Sequence, residues 1–217
     1  MKAQDIYNIL RAGGLSRAGA LGMLGNMMAE STLKENIVQR GMTNLSDDVY
    51  TAAADSGMLD FAQPVGYGLC QWTLPNRKRA LMARSKEEGV SVGDGPMQVA
   101  FTLFELQNDF SELYETLCKS DNINDCSDLI CKIFERPAVN NLEARRKYAN
   151  DFAAQIPANN YKPKPGDPIK KTFPPDPTVL AFQLWLNYNG YSCEANGYKS
   201  KEFFRILREF VDDMEAC

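Results

Sequence analysis

The chain has 217 residues, 44% of them hydrophobic and 24% charged, with a formal net charge of −4 and no histidine. That length holds one good-sized domain and a small one; no apolar run nears the ~18 residues of a membrane span, and the acidic balance, with Asn76–Arg79 (NRKR) as the one dense cationic cluster, argues against a nucleic-acid partner. Without histidine there is no Ser-His-Asp or Cys-His triad and none of the usual histidine-bearing catalytic zinc sites, so any acid–base chemistry must come from carboxylates, Lys, Tyr or Cys.

In chain order, the N-terminal MKAQDIYNILRAGG carries Asp5 and lacks a long apolar stretch, so it does not read as a secretory leader, and synthesis in a host cytoplasm is expected. SRAGALGMLGNMMAE predicts an apolar helix with Ser16 as N-cap and Ala18, Leu21, Leu24, Met28 and Ala29 near one face. From Gln39 to Pro64 the chain is polar, with turn signals in GMTNLSDD and ADSGMLD, and accommodates short strands or a short helix over Asp47–Ala54. RKRALMARSKEEG is an amphipathic helix closed by Gly89, its basic start read as a solvated helix end. GPMQVAFTLFELQND is more apolar and belongs near the centre, with Val99, Leu103, Leu106 and Phe110 in helical register. ELYETLCKS, DCSDLICKIFERP and NLEARRKYANDFAAQI continue the helical pattern, with Pro137 a break between the last two. The six cysteines match no zinc or redox spacing and are expected to be free thiols.

Seven of the eleven prolines fall between Pro157 and Pro177, a composition that excludes helix and central strand and favours an extended linker. The chain therefore divides into a helical body over 1–156, a linker over 157–177 and a tail over 178–217. In the tail, Val179, Phe182, Trp185 and Leu186 form one helical stripe and Phe203, Phe204, Leu207 and Phe210 a second, across Gly-containing turns. Two such helices make a small module at the margin of independent stability.

Two stretches of the body carry chemistry. Glu30 closes an apolar helix, where the helix dipole and the neighbouring Met27, Met28 and Leu33 disfavour an anion, the setting a general acid needs. VGYGLCQWT (Val65–Thr73) has two glycines flanking Tyr67, then Gln71 and Trp72: an amide for hydroxyls and N-acetyl groups and a flat aromatic face for a sugar ring.

GNMMAES followed by GYGLCQWT resembles the lysozyme superfamily shared by goose-type lysozymes and soluble lytic transglycosylases. The pattern is closer to the phage tail lysozyme family of peptidoglycan hydrolases: an apolar helix ending in Ala-Glu-Ser, then YTAAADSG (Tyr50–Gly57), then GYGLCQWT with Arg77-Lys78 following, then FERP (Phe134–Pro137) before an Arg-rich helix, all in order over about Asp5 to Phe152. The resemblance implies a mainly α, lysozyme-like α+β catalytic domain that acts on bacterial cell-wall peptidoglycan without metal or organic cofactor. It implies Glu30 as catalytic acid, Ser31 as a structural neighbour, and Tyr67, Gln71 and Trp72 as the turn lining the substrate groove; Glu135 and Tyr148 match groove-lining or structural positions. Cys70 departs from the family's usual residue, a difference of packing. A glycosidase normally needs a second carboxylate, for which Asp55, inside YTAAADSG, is the first candidate, Asp60 the second, and Asp47 and Asp48 lie in the same insertion. The tail, with AFQ, WLN and Asn196-Gly197-Tyr198, is similar to a small peptidoglycan-binding domain, although Asn196 stands for the usual Asp and the second loop glycine is absent.

Overall fold

The computed structural model describes residues 1–157, 186, 191 and 205–211. Within the first stretch eight α-helices follow one another: α1 (Ala3–Ala12), α2 (Arg17–Ser31), α3 (Asp47–Asp55), α4 (Pro75–Glu88), α5 (Gly95–Asn108), α6 (Ser111–Lys119), α7 (Ile123–Leu129) and α8 (Leu142–Gln155), with a π-helical turn, Ile130–Glu135, continuing α7. The mainly α fold expected of a lysozyme-like chain is what forms. Its β component, among the described residues, is reduced to isolated bridges from Tyr67 to Val38 and to Trp72.

α2 is the axis of the body, packing on α8 and α7 and touching α1 and α6. Ser16 caps it as expected, its Oγ accepting from Gly19 N at 2.9 Å. The expected single apolar face is not what forms: residues 18–27 are buried on every side, while Met28 is half-buried and Ala29 is exposed. A helix apolar all round belongs inside a core rather than on one. Helices reach it closely because its interface residues are small: a Cβ at Gly25 would lie 2.5 Å from the Arg145 carbonyl oxygen and 2.8 Å from Ala149 Cβ on α8.

α5 is buried through Val99, Leu103 and Leu106, and α4 stops at Gly89 in the left-handed region (φ +67°). The short element over Asp47–Asp55 is a helix, capped by Ser46. The NRKR cluster corrects the expectation of a solvated helix start. Lys78 is fully buried, its Nζ donating to the carbonyls of Val65 (2.7 Å) and Gln63 (2.9 Å) and lying 4.4 Å from the Phe61 ring. Cys70, Cys118, Cys126 and Cys131 are free thiols. No described helix is long and apolar enough to cross a membrane.

The chain divides into two compact units, 1–169 and 170–217. In the second, Leu186 and Ile206 are buried, with Tyr191, Leu207 and Phe210 packed on them and the Tyr191 and Phe210 rings edge to face at 5.7 Å. Leu186, Leu207 and Phe210 are members of the two expected stripes; Val179, Phe182, Trp185, Phe203 and Phe204 lie outside the described residues.

Candidate active site

The C-terminal end of α2 is fixed by the two residues after Met28 and Ala29. Ser31 is buried and its Oγ donates to Met27 O (2.8 Å) within the helix and to Leu69 O (3.0 Å) in the Tyr67–Trp72 turn. Thr32 and Leu33 then take left-handed backbone (φ +54° and +60°), which ends the helix abruptly. The residue pair Glu30-Ser31 thus ties the helix end to the glycine turn through its serine, while its glutamate meets α8.

Glu30 is 17% exposed, and its Oε1 accepts from Arg145 Nη2 on α8 at 2.6 Å. Arg145 is buried, and its other two nitrogens are also engaged: Nη1 donates to Asn26 Oδ1 on α2 (2.9 Å) and Nε to Asn140 O (3.0 Å). The sequence placed Glu30 among methionines; the fold gives it a guanidinium as well. The single charge-assisted hydrogen bond holds one carboxyl oxygen of Glu30 against α8.

The turn is built around Gly68 (φ +76°), where a Cβ would lie 2.6 Å from Gln98 Oε1; that oxygen accepts from Leu69 N at 2.9 Å. Tyr67 and Trp72 exchange backbone hydrogen bonds across it. Gln71, half-buried and left-handed (φ +44°), donates through Nε2 to Ile37 O (3.2 Å) and Gly68 O (3.1 Å). Tyr67 is fully buried, its hydroxyl 2.7 Å from Thr51 Oγ1 and its phenol pushed well up by burial. Trp72 is also fully buried; its Nε1 donates to Glu105 Oε2 at 2.8 Å and its ring meets Phe101 edge to face. Neither ring has a face open to a sugar, so the aromatic platform expected at Trp72 is a core wall here. Cys70 is buried beneath, its thiol pushed up by burial, 3.5 Å from Thr102 Oγ1.

FERP closes the site from the third side. Phe134 is buried, with the Arg77 guanidinium 4.5 Å over its ring and donating to its carbonyl at 3.3 Å. Arg77 is also bidentate on Glu105, Nε to Oε1 at 2.6 Å and Nη2 to Oε2 at 2.8 Å. Burial pushes the Glu105 carboxyl up, against the pull of that guanidinium. Glu135 ends the π-helical turn, and burial, then the charge of Glu30, push its carboxyl well above the usual range.

The acidic insertion is used differently. Asp55 is exposed, with its oxygens accepting from Ser91 Oγ (2.6 Å) and Val92 N (2.8 Å), so it fastens the α4–α5 loop. Asp47 is buried between Lys34, Arg40 and Val38 N; burial raises its carboxyl, and those three donors together more than reverse the effect. Asp60 caps Ala62 N at 3.0 Å and Asp48 accepts from Asn36. A shallow polar depression opens beside this lobe, lined by Lys34, Glu35, Asn36, Thr51, Ser91, Gly93 and Asp94.

A family model described as phage tail lysozyme matches residues 1–156. The chain belongs to the phage tail lysozyme family. That membership makes it a lysozyme-like, peptidoglycan-degrading enzyme in general terms. A comparison with curated proteins finds no match.

For a phage tail lysozyme, the sequence motifs now have physical reasons for their order: Glu30-Ser31, the glycine turn and FERP are stitched together by Ser31–Leu69, Trp72–Glu105–Arg77 and Arg77–Phe134. Sequence reading had Arg77 only as part of the motif after the glycine turn, and missed Arg145, Asn26 and Glu105 as members of this cluster. Asn26 inside an apolar helix and Glu105 inside VAFTLFEL were the available signals, because a polar residue amid core positions needs a buried partner.

Proposed function

We propose that this protein cleaves the β-1,4 bond between N-acetylmuramic acid and N-acetylglucosamine in bacterial peptidoglycan, with Glu30 as general acid. The observation that carries this reading is the seating of Glu30: half-buried, oriented by Arg145, on a helix end tied by Ser31 to the Gln71 turn. An acid so held protonates the leaving glycosidic oxygen, a contribution of about 10²–10⁴ in rate. Within this proposal Gln71 meets the substrate, while Tyr67 and Trp72 shape the groove from behind.

Asp55 is the proposed second carboxylate. A retaining site needs its two carboxyls ~5–5.5 Å apart and an inverting site ~6.5–9.5 Å apart. The engagement of both Asp55 oxygens with the Ser91–Val92 loop favours a second reading, in which no second acid acts and the sugar's own hydroxyl attacks to leave an anhydro product, as in a lytic transglycosylase. A purified-peptidoglycan turbidity assay tests both: clearance is expected, and unchanged turbidity would reduce the chain to a wall-binding or tail-structural protein. Mass spectrometry of the fragments then separates reducing-end from anhydro muramic products.

The proposal extends to the rest of the chain. The Pro-rich segment 157–177 serves as linker and 178–217 as a wall-binding module that holds the enzyme at its insoluble substrate. Delivery is through a membrane lesion at lysis or on a virion tail. Truncation at Pro157 is expected to slow lysis of intact walls more than cleavage of soluble glycan; an equal effect on both would refute wall targeting.

A further inference from the structure

Glu135 has no role in the chemistry above, and its surroundings are unusual for a carboxyl. Its Oε1 is buried and lacks a hydrogen-bond partner among the described residues. The charged and titratable groups that act on it come from every neighbouring element: Glu30 on α2, Arg77 on α4, Glu105 on α5 and Arg145 on α8, with Cys131 on its own turn and Cys70 on the glycine turn.

Both arginines in this cluster are already matched. Arg77 spends two nitrogens on Glu105 and the third on Phe134 O. Arg145 spends its three on Glu30, Asn26 and Asn140. The two guanidiniums are therefore taken up by two carboxyl groups, Glu30 and Glu105. Glu135 as a whole is half-buried, but its Oε1 is enclosed, and a charge there would have no hydrogen-bonded counter-charge, a costlier state than the neutral acid. The backbone that delivers Glu135 here is a π-helical turn closed by Arg136 in the left-handed region (φ +50°). Wide turns of this kind concentrate at functional sites.

We infer that Glu135 is an uncharged positioning residue for Glu30: neutral, it leaves Arg145 to Glu30; ionised, it competes with Glu30 for the same guanidinium. Burial and the neighbouring Glu30 both push its carboxyl in the direction this requires. The consequence is an alkaline limit on activity set by Glu135, resting on the reading of Glu30 as catalytic acid.

The first test needs neither substrate nor a variant. The sequentially assigned side-chain carboxyl ¹³C resonance of Glu135 in the full chain is followed against pH by NMR. It is expected to titrate well above the usual range of glutamate; titration within that range would overturn the inference whatever Glu30 does. The second test is the pH–rate profile of Glu135→Gln on purified peptidoglycan. The amide mimics the neutral acid, so activity within tenfold of wild type at the optimum is expected, with the wild-type alkaline limb displaced. An unchanged alkaline limb, or a folded variant more than tenfold slower at the optimum, would overturn it. Glu30→Gln assayed alongside reports on the catalytic reading separately.

Discussion

Arg145 Nη2 lies 2.6 Å from Glu30 Oε1, and the same guanidinium reaches back to Asn26, one turn earlier on the helix that carries Glu30. One side chain from α8 thus fixes both the acid and the helix beneath it. Replacing Glu30 by Gln preserves the shape and one acceptor for Arg145 but removes the transferable proton. Lysis of purified peptidoglycan is expected to fall by about 10²–10⁴, with the circular dichroism spectrum unchanged. Residual activity within threefold of wild type would remove Glu30 from the mechanism.

Arg145→Ala is expected to injure the fold as well as the site. It strands Glu30 and Asn26 Oδ1 together, while Asn140 O keeps the Cys131 thiol. Removing one partner of a buried pair costs about 3–5 kcal/mol, so urea denaturation should show a midpoint lowered by a corresponding amount. A variant as stable as wild type would mean that the buried contacts of Arg145 contribute little.

Trp72→Phe distinguishes a core wall from a sugar platform. The substitution keeps a ring but deletes the N–H that Glu105 accepts at 2.8 Å. A hydrogen bond to a charged group is worth about 1.5–3 kcal/mol, so the loss is expected in thermal stability. KM for soluble glycan should stay within about threefold, a shift of under ~0.7 kcal/mol. A large rise in KM with unchanged stability would put the indole in contact with substrate.

Acidification should unfold the first unit through Asp47 and Asp128. Asp47 is held below its ordinary value by Lys34, Val38 N and Arg40, whose pull exceeds the opposing effect of burial, and Asp128 by its hydrogen bonds to Arg146, again against burial. A depressed folded-state pKa means stability that is complete above the unfolded value, about 3.9, and drains away as pH falls below it. Asp47→Asn is expected to be less stable at pH 7 and to lose less between pH 5 and pH 2. Parallel curves for wild type and variant would exclude Asp47 as a source of acid lability.

Asp55 and Asp60 separate by their contacts. Asp55→Asn breaks the charge-assisted tie to Ser91 and Val92, whereas Asp60 caps one backbone N–H. Activity is expected to fall less for Asp55→Asn than for Glu30→Gln, and less again for Asp60→Asn. Product analysis of the Asp55 variant is the decisive measurement, because a change in anhydro content would place that carboxylate in the chemistry.

Local signals were enough for much of this protein. Ser16 announces the cap of α2, Gly89 the end of α4 and Pro137 the break before α8, because each depends on dihedrals and hydrogen bonds within a few residues. Glu30-Ser31, the glycine turn and FERP were visible as motifs for the same reason: each is a short backbone conformation with a fixed residue requirement. The partners were not visible. Periodicity gave α2 one apolar face, but only the assembled bundle surrounds it, since the number of helices packed on an axis is a property of the whole. Trp72 looked like a platform because its exposure depends on Phe101 and Glu105, some thirty residues away. Arg145 and Glu30 stand 115 positions apart. Their pairing, and with it the charge count that singles out Glu135, exists only once α8 lies against α2, because Coulomb forces act through space and carry no trace of sequence order.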